Sequence, residues 1–272
     1  MSKKYGILAY PAGHSLSPVM HNAAFRQLGI DAQYGVFEKD EGELSDFMKY
    51  VVAEPVYGLS VSLPHKETIR NFLNEEDEAV QALGACNTVK YQGGFLHGYN
   101  TDWVGSNMAL EEACGELSGK TAVVIGAGGA ARAVVYGLLK AGVKVAAIYN
   151  RNKERAQELA GDFSEEIFAG GLDEMEASAD ILVQASSIWT LNEEAKLEDL
   201  CSLEFIKGFS CVMDLVYKPL LTPLLVAAQD LGKTIVTGEK MLLYQAAKQF
   251  EIWTEEKAPI KVMREALENN LV

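Results

Sequence analysis

Short apolar runs alternate with amphipathic segments along the whole chain. YGILAY (5–10) predicts a strand, closed by a turn carrying Pro11 and Gly13. Ser17-Pro18 then reads as a helix cap with proline at the first helical position, and Gly29 ends that helix. Leu44, Phe47, Met48 and Val51 fall at i, i+3, i+4 and i+7, the apolar stripe of a second helix. VYGLSVSL (56–63) predicts a strand stopped by Pro64, and Ile69, Phe72 and Leu73 mark a helix after it, with Lys66 at its start. The acidic run Glu75 to Glu78 most simply opens a further helix, where its charge suits the helix dipole.

The rhythm changes near residue 119. KTAVVIG (120–126) is a continuous apolar strand, and the glycine-rich GAGGAARAVVYGLLKAG after it enters a helix. VKVAAIYN (143–150), ADILVQAS (179–186), CVMDLVY (211–217) and KTIVTG (233–238) are later strands with helical segments between them. Strands alternating with helices build a parallel sheet with crossovers, so this region predicts a doubly wound α/β domain of Rossmann type. The expectation is two α/β domains with a cleft between them. The first spans 1–104 and is joined by C-terminal helices within 239–272; the second spans 105–238. No repeat, low-complexity tract or long linker interrupts them.

At 272 residues and 49% apolar, the chain is long enough for two cores. Twenty-four basic against thirty-eight acidic residues leave a formal charge of -14, which argues against a nucleic-acid or anionic-membrane surface. Cys86, Cys114, Cys201 and Cys211 stand far apart without a C-x-x-C pair, so neither a disulfide framework nor a thiol-rich metal site is expected. The apolar run at the start is too brief for a signal peptide, and the richest region, 121–149, contains Arg132, Lys140 and Lys144. A soluble, reduced, cytoplasmic protein is the expectation.

Gly126, Gly128 and Ala131 form a G-x-G-x-x-A pattern between a strand and a helix, the context that gives this pattern meaning as a dinucleotide loop. An NAD site normally places an acid at the end of the second strand. This chain reads Tyr149-Asn150-Arg151-Asn152, with Arg155 four residues beyond Arg151. Loss of the carboxylate and two forked guanidinium donors point to the 2′-phosphate of NADP rather than to NAD. Surface arginines without a ligand are the plainer alternative.

A second polar set lies nearer the N-terminus. Ser15 and Ser17 place two hydroxyls at a helix start, which suits a carboxylate, although Ser17 alone is accounted for as a cap. Ser60 and Ser62 share one face of a strand, and Lys66 at the next helix start would lose its proton more readily there. Asn87 and then Asp102 follow. Lysine and aspartate in one cleft suit proton transfer at a hydroxyl, while a salt bridge or N-cap explains them equally.

GHSLSP, SVSLPHK, ACNT, NTD, GAGGAAR, NR with a further arginine, and MLLYQAA occur in that order nearly end to end, and together they resemble the shikimate dehydrogenase family. The resemblance implies an N-terminal substrate-binding domain, a C-terminal NADP-binding Rossmann domain, and reversible reduction of 3-dehydroshikimate to shikimate with NADPH in aromatic amino-acid biosynthesis. Carried over by position, Ser15 and Ser17 would bind the substrate carboxylate, and Ser62, Asn87 and Gln245 its hydroxyls, with Ser60 beside them. Lys66 and Asp102 would be the catalytic pair. Gly126, Gly128, Gly129 and Ala130 would hold the pyrophosphate, and Asn150, Arg151 and Arg155 the adenosine phosphate. Tyr217 and Gly238 would lie near substrate and nicotinamide.

Three departures stand out. Ser60 replaces a common asparagine, Gln184 to Trp189 replaces an Asn-Ala-Thr run and is expected to reshape the nicotinamide pocket, and Glu239-Lys240 brings charge to an apolar stretch. They keep open a quinate or other cyclic hydroxy-acid dehydrogenase, and a non-catalytic metabolite and dinucleotide sensor is the reading from another class. His14, His21, His65 and Trp103 need no role, and no metal site is expected. The partner is a small molecule, with no nucleic acid or membrane, in a monomer or homodimer.

Overall fold

The computed structural model of the chain describes residues 2–192 and 194–271. It divides into two compact units, one of residues 1–101 with 243–272 and one of 102–242.

Unit 1 runs β1 (Lys3–Ala9), α1 (Ser17–Gln27), β2 (Ala32–Glu38), α2 (Leu44–Ala53), β3 (Val56–Val61), β4 (Glu75–Glu76), α3 (Glu78–Leu83), β5 (Thr88–Gln92) and β6 (Phe95–Tyr99). The sheet order is β2-β1-β3-β5-β6-β4. β1 pairs in parallel with β2 and β3, whereas β5 is antiparallel to both β3 and β6. The stripe Leu44, Phe47, Met48 and Val51 packs with Leu8, Leu59, Val61 and Val89 in one apolar core.

Two expectations fail here, each because local pattern yields to hydrogen bonding or pairing. The segment after Pro64 is a turn leading into a five-residue 3-10 helix, Thr68–Phe72, in which the Arg70 N–H donates to the Glu67 carbonyl three residues back and the extended Leu73 ends the run. The acidic run divides. Glu75 and Glu76 pair with β6, Arg70 grips Glu76 through two hydrogen bonds of 2.8 and 2.9 Å, and only Asp77 caps a helix, accepting from the Val80 N–H.

Unit 2 runs α4 (Asp102–Cys114), β7 (Thr121–Ile125), α5 (Gly129–Lys140), β8 (Lys144–Tyr149), α6 (Lys153–Phe163), β9 (Phe168–Gly170), β10 (Ile181–Gln184), α7 (Ile188–Leu191), α8 (Leu203–Lys207), β11 (Cys211–Asp214), α9 (Pro223–Asp230) and β12 (Thr234–Val236). Every strand pair in this sheet is parallel, and the order is β12-β11-β10-β7-β8-β9. That is the Rossmann order, with its switch point between β7 and β10. α10 (Gly238–Thr254) carries the chain back to unit 1, which α11 (Ile260–Glu268) completes.

A disulfide joins Cys114, at the end of α4, to Cys211, at the start of β11. This corrects the expectation of unpaired cysteines. The two are 97 residues apart, and the crossover topology rather than any spacing pattern makes them neighbours.

Candidate active site

In unit 1 the loops that leave the carboxyl ends of β1 and β3 are stitched together. The Tyr10 N–H donates to the Leu63 carbonyl at 3.0 Å, and the Ser62 N–H to the Leu8 carbonyl at 2.9 Å. Cys86 N–H donates to the Lys66 carbonyl at 2.7 Å, and the Asn87 carbonyl accepts from the Val61 N–H at 2.8 Å. The Asn87 side chain in turn accepts from the Thr101 N–H at 2.8 Å and donates to the Thr101 hydroxyl at 3.0 Å. Hydrogen bonding thus draws the loop after β1, the Ser62–Lys66 loop, Asn87 and Thr101 together at one end of the central strands of a single sheet.

The helix near Ser15 and Ser17 begins one residue earlier than its cap pattern predicts. α1 starts at Ser17 itself, Leu16 occupies the cap position, and the Ser15 hydroxyl accepts from the Ser17 N–H at 3.3 Å. Ser15 is half-buried and Ser17 buried. Lys66 is half-buried in the turn before the 3-10 helix. The helix-dipole argument for its acidity therefore has no α-helix to act through.

Ser60 is buried, and both roles of its hydroxyl are taken. It accepts from the Tyr34 hydroxyl at 2.6 Å and donates to the Gln249 side-chain oxygen at 2.7 Å. The Gln249 amide then donates to the Asn87 carbonyl and the Thr88 hydroxyl, both at 3.0 Å. Ser60 therefore reaches Asn87 from beneath, through α10. Tyr34 stacks on His21, whose burial holds it neutral with a pKa lowered to about 3. Sequence reasoning missed Tyr34 and Gln249. The available signal was a glutamine inside the apolar run of α10. Gln245, one turn earlier on that helix, is buried as well.

In unit 2 the glycine pattern lies at the carboxyl end of β7. Gly126 has φ +120° and is pressed against the next loop, since a Cβ there would lie 2.9 Å from the Ala185 carbonyl carbon. Gly128 and Gly129 differ. A Cβ on either meets no atom within 4 Å, which leaves open space in front of the 12-residue helix α5. Ala130 is exposed beside them, and Ala131 is fully buried where α5 meets the sheet. At the end of β8, Asn150 donates to the Asn152 carbonyl at 2.9 Å, and Asn152 caps α6 by accepting from the Arg155 N–H. Arg151 and Arg155 are both exposed. Nothing acidic occupies the strand end, and the first turn of α5 carries no acidic residue.

The 184–189 departure is resolved differently from expectation. Trp189 turns into the core, 2% exposed, and Ile188 packs against the same cluster. The indole N–H donates to Asp214 at 2.7 Å. Asp214 is a buried carboxylate at the end of β11, which sequence reasoning passed over although an acid inside CVMDLV was a visible anomaly. Burial raises its pKa to about 6. The two charges at 239–240 are also partnered: Glu239 accepts from the Thr237 hydroxyl at 2.6 Å, and Lys240 lies 3.0 Å from Glu112. Tyr217 is half-buried, and Gly238 packs on the Leu215 carbonyl.

Fold and geometry define a two-unit α/β protein whose second unit is a Rossmann sheet with an open glycine loop at its switch point. Three family models match in chain order: the shikimate dehydrogenase substrate binding domain at 7–89, shikimate / quinate 5-dehydrogenase at 108–202, and the shikimate 5′-dehydrogenase C-terminal domain at 238–268. A shikimate dehydrogenase (NADP(+)) of Methanocaldococcus jannaschii is 38% identical over 98% of this chain and 96% of its own length. A crystal structure of a shikimate dehydrogenase in complex with NADP+ superposes with TM-score 0.93 at 36% identity, covering 100% of this chain and 96% of that one. The Thermus thermophilus shikimate 5-dehydrogenase, in complex with NADP(H) and shikimate, gives 0.89 at 33% identity, covering 98% of this chain and 99% of that one. The chain belongs to the shikimate dehydrogenase family.

Proposed function

We propose that the protein is an NADP-dependent shikimate dehydrogenase, reversibly reducing 3-dehydroshikimate to shikimate in aromatic amino-acid biosynthesis. The observation that carries this reading is similarity across both units to proteins named for that activity and cofactor. The residues fit the cofactor. Open space before Gly128 and Gly129 admits a pyrophosphate, and the Asn150-Arg151 strand end with Arg155 suits a 2′-phosphate better than a bare ribose.

NADPH, when bound, supplies the hydride. Gly126 shapes the turn, Gly128, Gly129 and Ala130 offer backbone to the pyrophosphate, and Gly238 with Tyr217 borders the nicotinamide side. Ser15 and Ser17 hold the substrate carboxylate near the start of α1. Ser62, Asn87 and Gln245 orient the ring hydroxyls, with Ser60 fixing Asn87 through Gln249. Lys66 gives a proton to the carbonyl oxygen as that oxygen gains charge, and Asp102 holds and balances it. The proposed setting is the cytoplasm, with a monomer or homodimer acting on small molecules.

A shikimate / quinate family model covers 108–202, so quinate is the second substrate to compare. The test is loss of reduced-nicotinamide absorbance when 3-dehydroshikimate is added to protein and NADPH. Tight binding of both ligands with no turnover would instead make the protein a sensor.

A further inference from the structure

Asp214 is fully buried, and its carboxylate accepts four hydrogen bonds. Oδ2 takes the Trp189 indole N–H and the Thr222 hydroxyl, each at 2.7 Å. Oδ1 takes the Val216 backbone N–H at 3.0 Å and the Gln184 amide at 3.4 Å. All four donors are neutral. A buried carboxylate held by neutral donors is an expensive way to fill a core, and an apolar side chain would serve stability better. What the network supplies is geometry, since each oxygen fixes donors from different segments of backbone.

Those segments converge on the glycine loop. Gln184 and Trp189 bracket the turn after β10. The Gln184 amide also donates to the Ser186 carbonyl at 3.0 Å, and the Ala185 N–H donates to the Ile125 carbonyl at 2.7 Å. That turn is the surface against which Gly126 is pressed. Val216 and Thr222 bracket the loop after β11. Leu215 N–H donates to the Gln184 carbonyl at 2.9 Å, tying the two loops, and Gly238 packs directly on the Leu215 carbonyl. One carboxylate therefore holds both loops that leave the carboxyl ends of β10 and β11. They lie beside the switch point where open α/β sheets bind ligands.

We propose that Asp214 is a positioning residue for the reaction, fixing the turns after β10 and β11 so that the nicotinamide end of the dinucleotide is held in one reactive orientation. This rests on the NADPH-dependent reading given above. Asp214→Asn is nearly isosteric, but it turns an NH2 group toward two of the donors, and an indole N–H cannot reverse its role. Trp189→Phe removes that conflict.

The experiment compares wild type, Asp214→Asn, Trp189→Phe and the double variant. It measures kcat, KM for NADPH, KM for 3-dehydroshikimate, NADPH Kd by fluorescence, and Tm, with assays run well below each Tm. Expected is a loss of about 10- to 100-fold in kcat/KM for NADPH in Asp214→Asn, the scale of a small misplacement of reacting groups. KM for 3-dehydroshikimate should stay within about twofold, and Trp189→Phe should partly rescue the loss in the double variant, a non-additive pair. A lowered Tm with unchanged kcat, NADPH KM and Kd would overturn the proposal, as would a rise in KM for 3-dehydroshikimate as large as or larger than that for NADPH, or strict additivity. If Asp214→Asn does not fold, Thr222→Val and Trp189→Phe each remove one donor, with Thr222→Ser as the conservative control. If wild type shows no turnover, the enzymatic reading fails, while the NADPH Kd series still decides whether the carboxylate positions the dinucleotide.

Discussion

Lys66 and Asp214 show two ways a charged side chain earns its place. Lys66 sits half-buried in the turn after β3, its carbonyl tied to the Cys86 N–H beside Asn87. Lys66→Ala should lower kcat by about 10²- to 10⁴-fold, the usual worth of a general acid–base group, with NADPH Kd within about twofold of wild type. Steady-state kinetics beside a fluorescence titration checks this, and wild-type kcat would remove lysine from the mechanism. Asp214 has the opposite setting, with its pKa lifted by burial to about 6 against about 3.9 for an unfolded chain. The folded state then binds more protons than the unfolded state between those values. Its contribution to stability is full below about pH 4 and is lost as pH rises through about 6, a change on the order of 2–3 kcal/mol. The side-chain carboxyl carbon of Asp214, followed by NMR, should titrate with a midpoint near 6. A midpoint near 4 would contradict this. Lys66 was legible as a candidate because it lies within a recognisable string of motifs. Asp214, Tyr34 and Gln249 were not, because their partners come from strands and helices that only the fold brings together.

At the scale of the element, the long periodic segments read correctly and the short ones did not. The α2 stripe and the parallel strands of unit 2 followed from hydrophobic pattern alone. The 68–72 helix and the 75–76 strand did not, because Leu73 turns extended before a further helical turn can form and a two-residue strand exists only through its partner. The Cys114–Cys211 link was hidden for the same reason, since α4 meets β11 only after the crossovers form. The glycine turn allows a clean separation of roles. Gly126→Ala meets a positive φ and a 2.9 Å approach to the Ala185 carbonyl carbon. It should cost about 1–3 kcal/mol in unfolding free energy as well as NADPH affinity. Gly128→Ala enters open space at an extended φ of -95°, so Tm should hold while NADPH Kd rises. Denaturation curves and nucleotide titrations of the two variants check this, and equal stability loss in both would contradict it.

For the whole molecule, the charge of -14 and the proposed ligands are compatible because the cations are few and placed. Arg151 stands exposed after β8 and Arg155 in the first turn of α6, and Lys66 stands in the turn after β3 of the other sheet. Two α/β units were legible from the change of rhythm near residue 119. The change of unit falls at Asp102 and again inside α10, because compactness follows packing rather than element ends. No helix among the described residues is long and apolar enough to cross a membrane. The central claim is tested most directly by kcat/KM measured for 3-dehydroshikimate and for the corresponding quinate-series ketone, each with NADPH and with NADH. The account predicts that 3-dehydroshikimate with NADPH exceeds every other pairing, by at least about tenfold over the same substrate with NADH, since removing two guanidinium contacts to a phosphate is worth at least that much. Equal efficiency with NADH, or a preference for the quinate-series ketone, would contradict it.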